Sequence, residues 1–182
     1  MTPSWTLPMT RRCFFATAGL SVAAGAAGAA DSAIETTDLP KAALLSDGDI
    51  KTYLLMFRTD QEVMKGLLAF ARKHKLTAGH LTGIGAVSDA VIGYFNPDKK
   101  AYLRLRETGQ HEVLSLTGNL AQYDNGPFLH VHIALGLRDG HTRGGHLFEM
   151  FVRPTVEVVL TAYPKLVSRK IDPESGLPLL DP

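Results

Sequence analysis

A close succession of short β-strand patterns, interrupted by a single long helical pattern, constrains the fold of this chain most strongly. In the helical pattern, apolar side chains recur from Val63 to Phe70 at the spacing of one buried helix face, and Thr59 or Asp60 is positioned to cap a helix that ends near His74. Short strands joined by turns around one main amphipathic helix predict an α+β fold built on a mostly antiparallel β-sheet. The strand patterns cover residues 50–57, 77–87, 90–95, 101–107, 112–122, 128–137, 144–152 and 155–162.

The first 29 residues have the layout of an export signal. The paired arginines Arg11 and Arg12 precede a stretch of small, weakly apolar residues, and an A-x-A cleavage site ends at Ala29, with a second possibility at Ala26. This layout predicts a twin-arginine signal peptide over residues 1–29 and a periplasmic or otherwise exported mature protein. No stable membrane anchor is expected after cleavage, because a span needs ~20 strongly apolar residues and this stretch is shorter and diluted by glycine.

Removing the signal peptide changes the composition of the mature chain. Cys13, the one cysteine, leaves with it, so neither a disulfide nor thiolate chemistry is expected. Without Arg11 and Arg12, the 19 basic residues fall to 17 against 18 acidic ones. A protein that binds duplex DNA usually carries a basic patch, and the basic runs here are no longer than pairs, so nucleic acid is an unlikely partner.

The mature length is that of one domain with one core. About 150 residues suit a single domain, and no internal repeat or coiled-coil heptad is present. Residues 30–49 are expected to be a linker. Residues 50–182 are expected to form the domain, including a Pro- and Gly-rich C-terminal tail from residue 165.

Three histidines form the strongest candidate site. His130 and His132 lie two residues apart on one expected strand, so their side chains point to the same face. If residues 138–140 form a three-residue hairpin loop, the register places His132 opposite His146, whereas a two-residue turn at 139–140 would direct His146 to the other face. Three neutral imidazoles plus water are a familiar open coordination set, so His130, His132 and His146 are predicted to bind a divalent metal, zinc first.

Glu112 is the candidate carboxylate that would support these ligands or move a proton. Its strand precedes the strand of His130 and His132 and can pair with it, although an ordinary salt-bridged strand residue is the alternative. With Glu112 as proton shuttle, a metal-bound water would make the protein a hydrolase or lyase acting on a small molecule, although a binding protein is favoured over an enzyme. The remaining histidines are expected to be structural or surface residues: His74, His80, His111 and His141.

Several motifs, in order along the chain, resemble those of the plant-and-prokaryote-conserved (PPC) domain family. The first resembles the family's G-x-G-A-V-S motif, and the second its E-[IV]-x-S-L-x-G strand. The next two resemble its H-x-H and G-G-H-L elements, and the last resembles its usual tail. These motifs occupy residues 83–90, 112–118, 130–132, 144–147 and 172–176.

This resemblance implies an α+β domain that assembles as a homotrimer, and in bacterial members the matching histidines are associated with a bound metal. Plant relatives carry the domain beside short basic minor-groove motifs and are DNA-associated, and bacterial members are often called DNA-binding by analogy. The present chain has no such basic motif. The favoured function is therefore that of an exported, trimeric, metal-binding protein of unknown physiological ligand, with zinc as the first candidate metal. DNA binding by family analogy and a metal-dependent hydrolase or lyase acting on a small molecule are the two alternatives.

Overall fold

The computed structural model describes residues 38–182, and the signal peptide expected over residues 1–29 lies outside the described residues. The described part contains eight strands and one helix. No helix within it is long and apolar enough to cross a membrane. The elements are β1 (Lys41–Asp47), β2 (Lys51–Arg58), α1 (Val63–Lys73), β3 (Gly79–Asn96), β4 (Ala101–Tyr123), β5 (Gly126–Gly136), β6 (Thr142–Ala162), β7 (Ser168–Ile171) and β8 (Pro178–Asp181).

All eight strands belong to one sheet. The strand order is β1-β2-β6-β3-β4-β7-β8, and β5 pairs with both β4 and β6, so strands β3 to β6 form a closed circuit of hydrogen-bonded neighbours. Every pairing is antiparallel except a single parallel bridge between β4 and β7. A mostly antiparallel sheet with one helix confirms the predicted α+β class.

Three of the observed strands each replace two strands expected from the sequence. Strand β3 joins the patterns at 77–87 and 90–95, and β4 and β6 join two patterns each in the same way. The pairing of β3 shifts register on either side of Val87. A β-bulge inserts an extra residue and interrupts the period-two alternation of side chains. The sequence pattern therefore breaks at positions where the hydrogen-bonded strand continues.

The helix begins after Glu62, so the expected cap at Thr59 or Asp60 is wrong. The Glu62 carboxylate accepts hydrogen bonds from the backbone N–H groups of Met64 at 3.0 Å and Lys65 at 2.6 Å. Asp60 instead has a positive φ of 70° in the turn between β2 and the helix. Such a conformation continues the turn rather than leading into the first helical residue.

Two segments read as irregular in the sequence are strands in the structure. Within the expected linker over residues 30–49, β1 pairs with β2, Lys41 lying opposite Met56. Within the expected C-terminal tail, β7 and β8 form an antiparallel hairpin. All of β1 is exposed, and β8 begins with proline, a residue tolerated at sheet edges. Neither segment shows the alternation of a half-buried strand, because each lies at an edge of the sheet.

The core is formed by the apolar face of α1 and by alternate residues of the strands. Val63, Leu67 and Phe70 of the helix are all buried, as the helical pattern predicts. On β5, Val131 and Ile133 are also buried. Because side chains alternate along a strand, the residues between them on β5 point away from this core. That outward face of β5 carries the histidine pair.

Candidate metal centre

The turn between β5 and β6 is a three-residue hairpin loop. The backbone N–H of Leu137 donates to the carbonyl of His141 at 2.9 Å, and the N–H of Gly140 donates to the carbonyl of Leu137 at 3.0 Å. Gly140 has a φ of 84°, a left-handed conformation that glycine adopts without steric cost. The resulting register places His132 directly opposite His146, the pairing expected from the sequence.

This register brings three imidazoles together on the outer face. The Nε2 atoms of His130 and His132 are 3.1 Å apart, and the potential ligand atoms of His130, His132 and His146 all lie within 4.8 Å of one another. A tetrahedral zinc with Zn–N bonds of about 2.0–2.1 Å needs nitrogens roughly 3.3 Å apart. The cluster therefore needs only small side-chain rotations to reach coordinating geometry.

Gly144 and two aromatic rings position His146. A Cβ at Gly144 would lie 2.5 Å from the carbonyl oxygen of Ile133 on β5, so only glycine permits this close approach of the two strands. The His146 ring lies 4.8 Å from the ring of Tyr102 and 4.9 Å, edge to face, from that of Phe148. The imidazole therefore packs between two aromatic neighbours on the outer face.

The environment favours the neutral form of two of the imidazoles, those of His130 and His146. Burial, together with the charges of His130, His132 and Arg104, lowers the pKa of His146 to about 4. Burial also lowers the pKa of His130, with smaller contributions from His132 and Arg169. Neutral imidazole is the form that donates a lone pair to a metal.

An unpartnered ring nitrogen is consistent with metal coordination. Within residues 38–182, His146 Nδ1 is buried and has no hydrogen-bond partner. Leaving such a buried polar atom unpaired costs about 1–3 kcal/mol. Coordination to a metal would satisfy it, and His132, the exposed member of the cluster, leaves the site open on one side. The three side chains therefore fit a divalent metal with an open coordination position.

Within this chain Glu112 does not lie beside the histidines that it was expected to support. Its strand β4 does pair with β5, as expected, but Glu112 lies opposite Gly136, four residues along β5 from His132. At roughly 3.3 Å per residue this is a separation of about 13 Å. Glu112 is exposed and lines a different surface cavity, near Pro154 and Thr155.

The structure places two other polar side chains near the cluster. Asn119 lies directly opposite His130 on β4, and its Oδ1 accepts a very short hydrogen bond from Nη2 of Arg169. Arg169 lies on β7, in the segment that the sequence indicated was a tail. The approach of β7 to β4 is a non-local parallel bridge, and no local sequence pattern signals it.

The other four histidines do not belong to the cluster, in agreement with expectation. His80 contacts the Tyr163 hydroxyl, His111 is buried and contacts the Gly109 carbonyl, and the exposed His141 lies 3.0 Å from Asp139. His74 packs on the ring of Phe70. Among the described residues, His130, His132 and His146 form the one group of three or more metal-ligating side chains.

The fold and the outward histidine cluster define a small antiparallel α+β domain with a candidate metal centre. The family model of the Plants and Prokaryotes Conserved (PCC) domain matches residues 45–164, so the chain belongs to this family. This match confirms the resemblance inferred from the motifs.

Solved structures share the fold over most of their length. A metal-containing protein from Archaeoglobus fulgidus is 31% identical, with a TM-score of 0.68 over 79% of this chain and 99% of that one. A plant- and prokaryote-conserved protein from Pyrococcus horikoshii is 31% identical, with a TM-score of 0.69 over 78% and 95% of the two chains. A Bacteroides thetaiotaomicron protein with the provisional name of DNA-binding protein is 30% identical, with a TM-score of 0.72 over 77% and 96%.

A longer curated protein also matches. The chain is 31% identical over 135 residues to the bifunctional protein GlmU of a Synechococcus strain. The match covers 72% of this chain but 20% of that protein, so the chain spans about a fifth of the length of the relative.

Proposed function

We propose that this protein binds one divalent metal ion through His130, His132 and His146, with zinc as the first candidate for that metal. The observation that carries the proposal is the convergence of three potential ligand atoms to within 4.8 Å, from two strands paired in one register. The lowered pKa values and the unpartnered nitrogen of His146 support it, as does the metal-containing relative from Archaeoglobus fulgidus. When bound, the metal would supply a Lewis acid with one position open to a small ligand.

A binding role is favoured over catalysis. A hydrolase or lyase needs a group that transfers a proton near the metal-bound water. Glu112 was the candidate, and the register separates it from the histidines by about 13 Å of strand. The proposed physiological ligand is therefore a small molecule that is bound rather than turned over.

DNA binding by family analogy gains no support from this chain's charge. The sequence carries 19 basic and 18 acidic residues in total, and its longest basic runs are pairs. Phosphate contacts supply most of the affinity of DNA-binding proteins, so a basic surface is a requirement. We expect no tight, steeply salt-dependent binding to duplex DNA.

Metal analysis of the full chain tests the proposal directly. After reconstitution with zinc and dialysis, elemental analysis should find about one zinc per chain, and His132→Ala should abolish it. His80→Ala is the matched control, because His80 is an exposed strand histidine outside the cluster, and it should retain the metal. A metal-free wild-type protein, or full zinc occupancy in His132→Ala, would contradict the proposal.

We further propose that the protein is exported and acts as a homotrimer. Export rests on the paired arginines and the A-x-A site of residues 1–29. Assembly rests on the family resemblance, and apolar side chains exposed on the β3–β4 hairpin are consistent with a covered face: Ile84 is 61% exposed, Tyr94 67%, Leu103 58% and Leu114 54%.

A further inference from the structure

A small apolar cavity adjoins the histidine cluster. Its volume is about 230 Å³, and its lining includes Tyr102, Phe128, Phe148 and Leu177, together with His130 and His146. Cavities that hold drug-sized molecules are about 300–1,000 Å³, so this one suits a smaller molecule. Aromatic and aliphatic walls favour a ligand with an apolar body.

Arg169 is a buried cation in the wall of this cavity. It is 7% exposed, and its hydrogen-bond partners are neutral: Nη1 donates to the carbonyl of Pro178 at 2.7 Å, and Nη2 donates to Asn119. Among residues 38–182, Arg169 forms no ion pair, and its Nε has no hydrogen-bond partner. A buried charge without a countercharge is costly, so this position calls for an anion.

The surroundings add to the positive potential rather than offset it. The guanidinium of Arg104 lies 3.9 Å from the ring centroid of Phe148, another wall residue, and it too has no carboxylate partner among the described residues. Arg169 stacks more distantly over Phe128, at 5.0 Å. A divalent metal on the histidines would add two further charges beside the same space.

We propose that this cavity binds a small monocarboxylate with an apolar body, whose carboxylate is held by Arg169 beside the histidine cluster. Guanidinium matches the planar carboxylate and can donate two hydrogen bonds to it. The apolar body packs against the aromatic walls, while the carboxylate offsets the buried charge. The inference deepens the proposed function, and it rests on that function only for the additional attraction of the metal.

Calorimetric titration of the full chain with three probes tests the chemistry of the ligand. Benzoate carries both features, benzamide has the same body without the charge, and acetate has the charge without the body. Benzoate should bind, and the other two should bind at least about tenfold more weakly, because each lacks one of the two interactions. Equal binding of benzoate and benzamide, or no binding of benzoate, would overturn the proposal.

Substitutions test the residue. Arg169→Gln should weaken benzoate at least about tenfold, and Arg169→Lys, which keeps the charge but not the fork of donors, should weaken it less. Lys170→Gln is the matched control, since Lys170 is exposed and pairs with Asp181 outside the cavity, and it should bind benzoate as the wild type does. Equal losses in Arg169→Gln and Lys170→Gln would overturn the assignment. The assignment would also be overturned if Arg169→Gln dissociated an assembly of the protein but still bound benzoate. In that case the countercharge of Arg169 would come from a neighbouring subunit.

Parallel titrations with and without zinc separate this inference from the metal proposal. Benzoate should bind the metal-free protein through Arg169 and bind the zinc-loaded protein more tightly. If the protein takes up zinc but not benzoate, the proposed metal site stands and the proposed carboxylate site is refuted. If the protein binds benzoate through Arg169 but takes up no zinc, the proposed metal site is refuted and the proposed carboxylate site stands.

Discussion

At the scale of single residues, burial shifts the pKa values of two titratable groups, Glu62 and His146, in opposite directions. Glu62 is 5% exposed, and burial raises the pKa of its carboxyl although three backbone N–H groups donate to it. His146 is partly buried, and its pKa is lowered to about 4. Glu62 connects the helix to the sheet, whereas the low pKa of His146 keeps its imidazole uncharged at neutral pH.

The substitution Glu62→Gln should destabilise the protein by about 1–2 kcal/mol. Oε1 of Glu62 accepts hydrogen bonds from Met64 and Met150, and Oε2 accepts one from Lys65. Glutamine replaces one acceptor oxygen with an NH₂ group that faces an N–H donor. Chemical denaturation measures the loss of unfolding free energy. Glu174→Gln, which replaces an exposed carboxylate, is the control and should change the unfolding free energy little. A stability equal to that of wild type would mean that the cap does not contribute.

The metal-free protein should lose stability as the pH falls from about 6.5 to about 4. In this window the unfolded chain takes up a proton on His146, whose ordinary pKa is about 6.5, while the folded chain does not, because its pKa is about 4. Denaturation at several pH values measures the slope, and His146→Gln should show a shallower decline. An identical decline in the variant would show that His146 is not the group responsible.

At the scale of elements, the β5–β6 hairpin decides whether the histidines meet. Deleting Leu137 would keep the three-residue loop but pair Gly136 with His141, so His132 would lie opposite Gly145 and His146 would turn to the opposite face. We expect zinc occupancy to fall from about one per chain to near zero. Gly140→Ala is the control: it strains a residue at φ 84° by about 1 kcal/mol but leaves the register, so it should retain zinc. Elemental analysis that finds full occupancy in the deletion variant would contradict the role of the register.

At the scale of the whole molecule, the exposed apolar pair on β3 and β4 predicts assembly. Tyr94 and Leu103 lie directly opposite each other, and light scattering should give the mass of three chains. Leu103→Glu should reduce that mass by introducing charge into the covered face, whereas Leu166→Glu, at an exposed position outside this hairpin, should not. A monomeric mass for the wild type would refute the trimer.

The proposed export depends on residues outside the described part of the chain. Replacing both Arg11 and Arg12 by lysine should retain the precursor in the cytoplasm, because the twin-arginine route reads that pair. Fractionation followed by immunoblotting measures the distribution, with a lysine substitution at Arg58 as control. If the doubly substituted protein still reaches the periplasm in the normal amount, the export route is misassigned.

Local physics explains what the sequence could determine. Side-chain alternation put His130 and His132 on one face, and a left-handed Gly140 selected the three-residue loop that set His132 opposite His146. The helix face and the α+β class followed from equally local periodicities. These features depend on residues only a few positions apart, so they can be predicted from the local amino-acid sequence.

Only the tertiary structure determined the features that depend on pairing between distant strands. The bulges of β3 shift its register although the pairing continues. The distance of Glu112 from His132 depends on how β4 aligns with β5. Arg169 reaches the cavity because β7 pairs with β4. The edge strand β1 also depends on a partner, β2, rather than on its own pattern. Each is fixed by hydrogen bonds and burial between segments distant in sequence, whose energies no local pattern encodes.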